Sequence, residues 1–258
     1  MTINDSMLSL NELKKNFGGV TAVNNIDIDV KNGEIFGIIG PNGAGKTTIF
    51  NLITGIYPPS EGKIIFSDED ITSIPTHIIS QKGISRTFQN IRLFENLTVY
   101  NNILIACHHQ AKYSILSGAL RTKSCKMQEL ELAAEAEKAL RSVGLFDKKD
   151  FIAGKLPYGE QRKIELARAI ATKPKVLLLD EPAAGMNENE SKELIELIRQ
   201  IKDEYNLTII IIDHHMDVIM SLCDKIAVLN FGQKIAMGTP MEIQNNEAVV
   251  EAYLGVDE

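Results

Sequence analysis

Apolar and polar positions change rhythm along the chain, and each change predicts a different kind of element. Over residues 22–30, Val23, Ile26, Ile28 and Val30 alternate with polar neighbours, which is the pattern of a half-buried strand. Lys31, Asn32 and Gly33 then make a turn. Residues 35–39 (IFGII) are a continuous apolar run, and residues 64–66 read as a short strand after the turn-rich segment 57–62. The first hundred residues therefore mix antiparallel strands with the glycine-rich turn that follows residue 39. From about 99 to 143 the period becomes helical: Leu132, Ala136, Ala139, Leu140 and Val143 share one face, and Gly144 stops the run. A separate helical lobe is expected there.

Residues 176–179 and, apart from Thr208, residues 207–212 are continuous apolar runs, and they close on Asp180-Glu181-Pro182 and Asp213-His214. Both suit a buried parallel sheet. Between them Leu194, Leu197, Ile198, Ile201 and Tyr205 keep helical spacing, the strand–helix–strand order of a right-handed crossover. Residues 227–229 and 234–237 around Phe231-Gly232 predict a hairpin. Thr239-Pro240-Met241-Glu242 is a capping box with proline at the first helical position. In parallel sheets ligands sit beyond the carboxyl ends of the strands, so residues 40–46, Asp180, Glu181 and His214 are expected to converge.

Composition narrows the classes. At 258 residues the chain can bury a sizeable core, and a domain with an attached lobe is expected. A net charge of −7 gives no electrostatic footprint for nucleic acid, and no such partner is expected. No apolar run approaches the length that spans a bilayer, and residues 1–17 lack the apolar core of a signal peptide, so a cytoplasmic location is expected. Cys107, Cys125 and Cys223 are scattered and odd in number, which reads as reduced thiols packed as small hydrophobes. Cys107-His108-His109 has no second ligand pair at metal-binding spacing.

The candidate chemistry starts at residues 40–48, GPNGAGKTT, a full match to the phosphate loop G-x-x-x-x-G-K-[ST]. Gly43 and Gly45 allow positive φ, so that successive N–H groups can converge on phosphate oxygens. Lys46 adds a point charge, Thr47 offers a hydroxyl to Mg²⁺, and the helix that starts here aims its positive dipole end at the same anion. Asp180 can reach Mg²⁺ directly or through water. Glu181, on the other side of the strand end, can polarise a water for in-line attack on a γ-phosphate, or else cap the next turn. His214 reads as a partner of that phosphate or water, or as a structural histidine. Residues 156–162 (LPYGEQR) precede a helix with Ile164, Ala167 and Ala171 on its buried face. Its N-terminus is a second anion site, which suggests nucleotide held by another copy of the chain.

The phosphate loop, Gln89 in residues 85–89 (SRTFQ), residues 156–161, residues 176–181 and His214 occur in an order that resembles the ATP-binding-cassette ATPases, over nearly the whole chain. The resemblance implies an α/β P-loop NTPase fold with a RecA-like core, an antiparallel β-subdomain and a helical lobe. Residues 1–96 and 155–258 would form the core with its β-subdomain, and 97–154 the lobe. It also implies a head-to-tail dimer that sandwiches two ATP molecules. Carried over to this sequence, Phe17 would stack on adenine, unless it is an ordinary core phenylalanine. Gly40, Pro41, Asn42, Gly43, Ala44, Gly45, Lys46, Thr47 and Thr48 would cradle the phosphates. Thr47, Asp180 and Gln89 would serve Mg²⁺, with Gln89 also sensing the γ-phosphate and coupling it to a membrane partner. Glu181 would be the general base and His214 the switch histidine. Tyr158, Gly159 and Glu160 would touch ATP across the dimer.

Closer phrases, namely SRTFQNIRLF (85–94), LPYGEQR, DEPAAGMN (180–187) and AYLG (252–255), are similar to the ATPase subunit of branched-chain amino-acid importers. A lipopolysaccharide-export ATPase shares the ending and much of the core. A soluble regulatory or repair ATPase is the rival from another class, but the chain has one cassette, no heptad run and no basic patch. A simple kinase would leave the second phosphate cradle idle. Three departures from the family pattern bear on coupling between subunits. Pro157 stands for the usual serine, Asn187 and Glu188 for aspartate and proline, and His215 for the aspartate beside the switch histidine. The implied partners are ATP, transmembrane permease subunits docking near residues 89–95 and the lobe, and a second ATPase subunit that is either this chain or a relative. The chain would then lie peripherally on the inner face of the cell membrane.

Overall fold

Residues 6–111 and 122–254 are described by the computed structural model. Residues 112–121 of the expected helix-like run, and Gly255 of the AYLG ending, lie outside the described residues. Strand β1 (Ser6–Phe17) pairs antiparallel with β2 (Val20–Lys31). Val23 and Ile26 are three apart, so strict alternation would put them on opposite faces, yet both are fully buried. Asn25 resolves this with a positive φ of 54°: the register passes from Leu13↔Ile26 to Lys15↔Val23, inserting one extra residue in β2 as a β-bulge.

The apolar run becomes β3 (Ile35–Ile39), buried at every position, and leads through the glycine turn into helix α1 (Lys46–Ile53). Strands β4 (Glu61–Phe66) and β5 (Glu69–Asp70) complete an antiparallel sheet in the order β2-β1-β4-β5. Helix α2 (Thr76–Lys82) and the short β6 (Ile84–Arg86) follow.

Contacts divide the chain into two compact units, residues 1–89 with 175–258, and residues 90–174. The second unit contains α3 (Val99–Cys107), α4 (Lys123–Ser142) and α5 (Tyr158–Ala171), packed on one another. Leu132, Ala136, Ala139, Leu140 and Val143 are buried, as their spacing predicts. Divided by contacts, this unit is wider than residues 97–154, because α5 buries Ile164, Ala167 and Ile170 within it. The LPYGEQR segment also does not precede its helix, since α5 already starts at Tyr158 with Pro157 as its N-cap. Proline fits at that position because the first helical N–H groups have no intrahelical partner.

The chain returns to the first unit in β7 (Val176–Asp180), α6 (Glu188–Tyr205) and β8 (Thr208–Ile212). Both strands are buried at every position and parallel, and α6 buries Leu194, Ile195, Ile198 and Ile201. Asn187 N-caps α6 in a capping box with Glu190, the Asn187 side chain accepting from the Glu190 N–H. Asparagine thus keeps the acceptor that aspartate would supply there. After α7 (Met216–Leu222), β9 (Lys225–Asn230) and β10 (Gln233–Gly238) form the expected hairpin, turning through Phe231 and Gly232 at φ 45° and 76°. The predicted capping box opens α8 (Pro240–Gln244), and α9 (Glu247–Leu254) ends the described chain. Among the described residues the second sheet runs β10-β9-β3-β8-β7-β6, parallel from β9 to β6, with β10 antiparallel at the edge. Cys107, Cys125 and Cys223 are free and buried. Burial pushes the Cys107 thiol up to about 11 and that of Cys223 higher still.

Gly40 is where the sheet hands over to the phosphate loop. Its φ is 150°, and a Cβ there would stand 2.1 Å from the Leu229 carbonyl oxygen on β9. Gly40→Ala must therefore shift backbone in the phosphate loop or in β9, and the expected loss is about 1–3 kcal/mol. A thermal unfolding midpoint lowered by at least about 2 °C is the expected result, and an unchanged midpoint would contradict this packing.

Candidate functional site

Neighbouring parallel strands place their carboxyl ends side by side, and β3, β8, β7 and β6 are consecutive in the sheet. The loop after β3 is residues 40–45. Gly43 and Gly45 have φ of 79° and 100°, as expected for backbone that must fold its amides inward. Gly45 also lies so close to β2 that an added Cβ would be 2.5 Å from the Ala22 carbonyl oxygen. The hairpin turn braces the loop: the Gly232 N–H donates to the Ala44 carbonyl at 3.1 Å, and the Asn24 N–H donates to the Gly232 carbonyl at 2.8 Å.

Lys46 begins α1 and is only 6% exposed. Its Nζ donates to the carbonyls of Gly40 at 2.6 Å and Pro41 at 3.0 Å, so the ammonium is folded back over the loop. Burial holds it below the usual lysine range, while the Glu181 carboxylate works in the opposite direction. Thr47 is exposed on the first turn, Thr48 and Pro41 are half-buried, and Asn42 and Gly43 are exposed. Gly45 caps α1 without a side-chain hydrogen bond, so the first amides of the helix have no side-chain competitor for an anion.

The two acidic residues after β7 are held by different elements. Asp180 Oδ2 accepts from Arg86 Nη2 at 2.6 Å, and the Asp180 N–H lies 3.3 Å from Thr87 Oγ1. Glu181 takes a positive φ of 48°. Its Oε2 accepts from Gln89 Nε2 at 2.6 Å, and its Oε1 lies 2.7 Å from His214 Nε2. Three segments, at the ends of β6, β7 and β8, are therefore joined by side chains that are far apart in sequence, and the Lys46 ammonium of the phosphate loop feels the Glu181 carboxylate electrostatically. The turn after Glu181 is capped by a third carboxylate: buried Asp213 Oδ2 accepts from the Ala183 N–H at 3.0 Å. Asp213 Oδ1 also meets the N–H and Nδ1 of His215, at 2.9 and 2.7 Å. His215, a departure from the family pattern, thus finds an acidic partner two residues back.

Phe17 ends β1 at 42% exposure, which removes the core reading. Its ring meets Tyr57 edge-on at 5.3 Å, with Lys15 Nζ over both rings. Tyr158, Gly159 and Glu160 form the first turn of α5 in the other unit. There Glu160 pairs with Lys148 at 2.6 Å, and Arg162 donates to the Tyr158 hydroxyl at 3.2 Å. Arg86, Thr87 and Asp213 belong to this site but were not singled out by sequence. Arg86 and Thr87 lie inside the SRTFQ phrase, in which the family pattern gives a role only to Gln89, and the three-residue β6 leaves no apolar run that would mark them.

The chemistry of these donors fits a nucleoside triphosphate and Mg²⁺. Among the described residues no group of three or more His, Cys, Asp or Glu forms a metal cage. Mg²⁺ is ordinarily held through one or two carboxylates together with substrate phosphates. Asp180 Oδ1 makes no hydrogen bond among the described residues, and Thr47 brings a hydroxyl beside the phosphate loop.

Known proteins resemble this chain along nearly its whole length. A family model described as ABC transporter matches residues 23–184, and one described as branched-chain amino acid ATP-binding cassette transporter matches residues 233–258. The chain is 45% identical over 249 residues to the high-affinity branched-chain amino acid transport ATP-binding protein LivG of Escherichia coli K12, covering 96% of this chain and 98% of that protein. It is 42% identical over the same length to BraF of Pseudomonas aeruginosa, a protein of the same description, with the same coverage. Among solved structures, the ADP conformation of MJ1267, an ATP-binding cassette of an ABC transporter, superposes with a TM-score of 0.83 at 31% identity, covering 97% of this chain and 99% of that one. The chain belongs to the ABC transporter family, as one of its ATP-binding, ATP-hydrolysing subunits.

Proposed function

We propose that this subunit powers the import of branched-chain amino acids, with Glu181 as the base that activates water. The transported class rests on the resemblance to LivG and BraF along almost the whole chain and on the match of the C-terminal residues 233–258. That second match favours an amino-acid importer over a lipopolysaccharide exporter or a soluble ATPase.

The observation that carries the catalytic assignment is the double hold on Glu181, by Gln89 at 2.6 Å and His214 at 2.7 Å. Both oxygens of one carboxylate are oriented by side chains from neighbouring strand ends. Residues 40–48 bind the phosphates, with loop and helix amides donating to the oxygens and Lys46 supplying a charge-assisted hydrogen bond. Thr47, Asp180 and the amide oxygen of Gln89 would hold Mg²⁺, which when bound neutralises charge on the phosphate oxygens. Glu181 accepts the proton of the attacking water as its oxygen bonds to the γ-phosphorus and the bond to ADP breaks. His214 and Gln89 keep the base aimed, and Gln89 reports the γ-phosphate to residues 90–95. Phe17, with Tyr57 and Lys15 beside it, offers the adenine an exposed aromatic edge.

A second ATPase subunit, this chain or a related one, completes the site. Its contribution is the first turn of α5, where Tyr158, Gly159 and Glu160 follow Pro157. Proline removes a hydroxyl and an N–H, so contact across the dimer relies on the amides of the residues after it. Permease subunits supply the path for solute. Among the described residues no helix is long and apolar enough to cross a membrane, and attachment to the inner membrane face is assigned to those permeases.

Three outcomes are expected. Glu181→Gln binds ATP but hydrolyses it roughly 10²–10⁴-fold more slowly, the contribution of a positioned base, and accumulates as a nucleotide-bound dimer; full turnover would refute the role. Lys46→Ala weakens ATP binding by about 1.5–3 kcal/mol, the worth of a hydrogen bond to a charged group, and unchanged affinity by calorimetry would overturn the phosphate-loop assignment. Purified with its permease partners, the wild-type complex should hydrolyse ATP faster when leucine is supplied; a rate indifferent to leucine, isoleucine and valine would remove the substrate assignment.

A further inference from the structure

Segment 84–89 touches both acidic residues at the end of β7, yet the proposed reaction uses only its last member. Arg86, three residues before Gln89, is the most heavily engaged. Its side chain and that of Asp180 are 8% and 6% exposed, and they form a 2.6 Å ion pair. The other arm of the guanidinium, Nη1, donates to Asn51 Oδ1 on α1 at 2.7 Å. The guanidinium carbon lies 5.4 Å from the ring centroids of both Phe50 and Phe88. The arginine is therefore gripped by two rings and tied at once to the phosphate-binding helix and to the acidic strand end. Its buried Nε has no partner among the described residues.

An isolated buried ion pair rarely repays its desolvation, and an apolar replacement of similar volume often does as well. What a planar, two-armed cation adds is direction, because it can hold two acceptors at a fixed angle where a lysine cannot. Here the two acceptors are a carboxylate at the end of β7 and an amide on the helix that carries the phosphate loop. One oxygen of Asp180 is taken by Arg86, and Oδ1 makes no hydrogen bond among the described residues. Metal-binding carboxylates are commonly aimed in this way by a partner on the other oxygen.

We propose that Arg86 is a positioning residue for the divalent cation: by pinning one oxygen of Asp180 to α1 through Asn51, it presents the second oxygen to Mg²⁺ bound with the nucleotide phosphates. This rests on Asp180 being a cation ligand, and the test separates the two. Because the phosphate helix and the carboxylate share one brace, the cation site and the phosphate site keep a fixed spacing. Cation and nucleotide then bind as a unit.

The readout is the ratio of dissociation constants for the non-hydrolysable analogue AMP-PNP measured by calorimetry in EDTA and in Mg²⁺, using the full chain. Arg86→Met is expected to leave binding in EDTA unchanged and to lower the ratio roughly tenfold or more, the usual cost of losing such a partner. Asn51→Ala, which keeps the ion pair and removes only the brace, is expected to lower it in the same direction and guards against misfolding of the arginine variant. Asp180→Asn should abolish the Mg²⁺ dependence. If Asp180→Asn does so while both the Arg86 and Asn51 variants keep the wild-type ratio or raise it, Arg86 is a structural ion pair only and the inference is overturned. A ratio near one in the wild type, or one that Asp180→Asn does not move, overturns the ligand assignment and this inference with it.

Discussion

Parallel pairing of β6, β7, β8 and β3 is the constraint on which the site depends. Strands in a sheet are spaced by about 4.8 Å, so the ends of four consecutive strands lie within a strip roughly 15 Å wide. Residues 40–46, 86–89, 180–181 and 213–214 have no closeness in sequence, and strand order alone brings them to one edge. The order is secured by the runs IFGII, VLLLD and TIIII, buried at every position. Such runs can be satisfied only inside a sheet covered on both faces. Apolar burial in the middle of the strands thus fixes where the polar chemistry at their ends must appear.

Electrostatics then sorts the residues at that edge. Three acidic side chains, Asp180, Glu181 and Asp213, sit within four residues of strand ends and are nearly buried. Unpaired buried carboxylates are costly, and each has found a different answer. Asp180 takes a guanidinium, Glu181 an amide and an imidazole, and Asp213 a backbone N–H with a second imidazole. The answers differ in exposure as well as in charge. Arg86 lies against two phenyl rings, whereas the His214 side chain is 44% exposed.

Most of the core was legible in the sequence because its signals are local. Continuous apolar runs, the GPNGAGKTT turn and the Thr239 capping box each carry their own chemistry, and each lies where its pattern predicts. What was not legible depends on partners distant in the chain. Val23 and Ile26 break alternation, and only the register with β1 reveals the bulge at Asn25 that reconciles them. Arg86 meets an aspartate 94 positions away, so no window of sequence contains the pair. Pro157 offers no side-chain oxygen to mark an N-cap, and because α5 is capped without one its start at Tyr158 carries no sequence signal. Asn187 departs from the family pattern, but its amide oxygen does the same capping work as a carboxylate.

In the proposed reaction the carboxylate of Glu181, held by Gln89 and His214, receives the water's proton. A crystal structure of the chain with Mg²⁺, ADP and orthovanadate tests it most directly, because vanadate reproduces the geometry of the phosphorus under attack. An apical oxygen is expected in line with the bond to ADP and within hydrogen-bond reach of a Glu181 carboxylate oxygen, about 2.6–3.2 Å. An apical oxygen bound to some other side chain, with Glu181 turned out of reach, would contradict it.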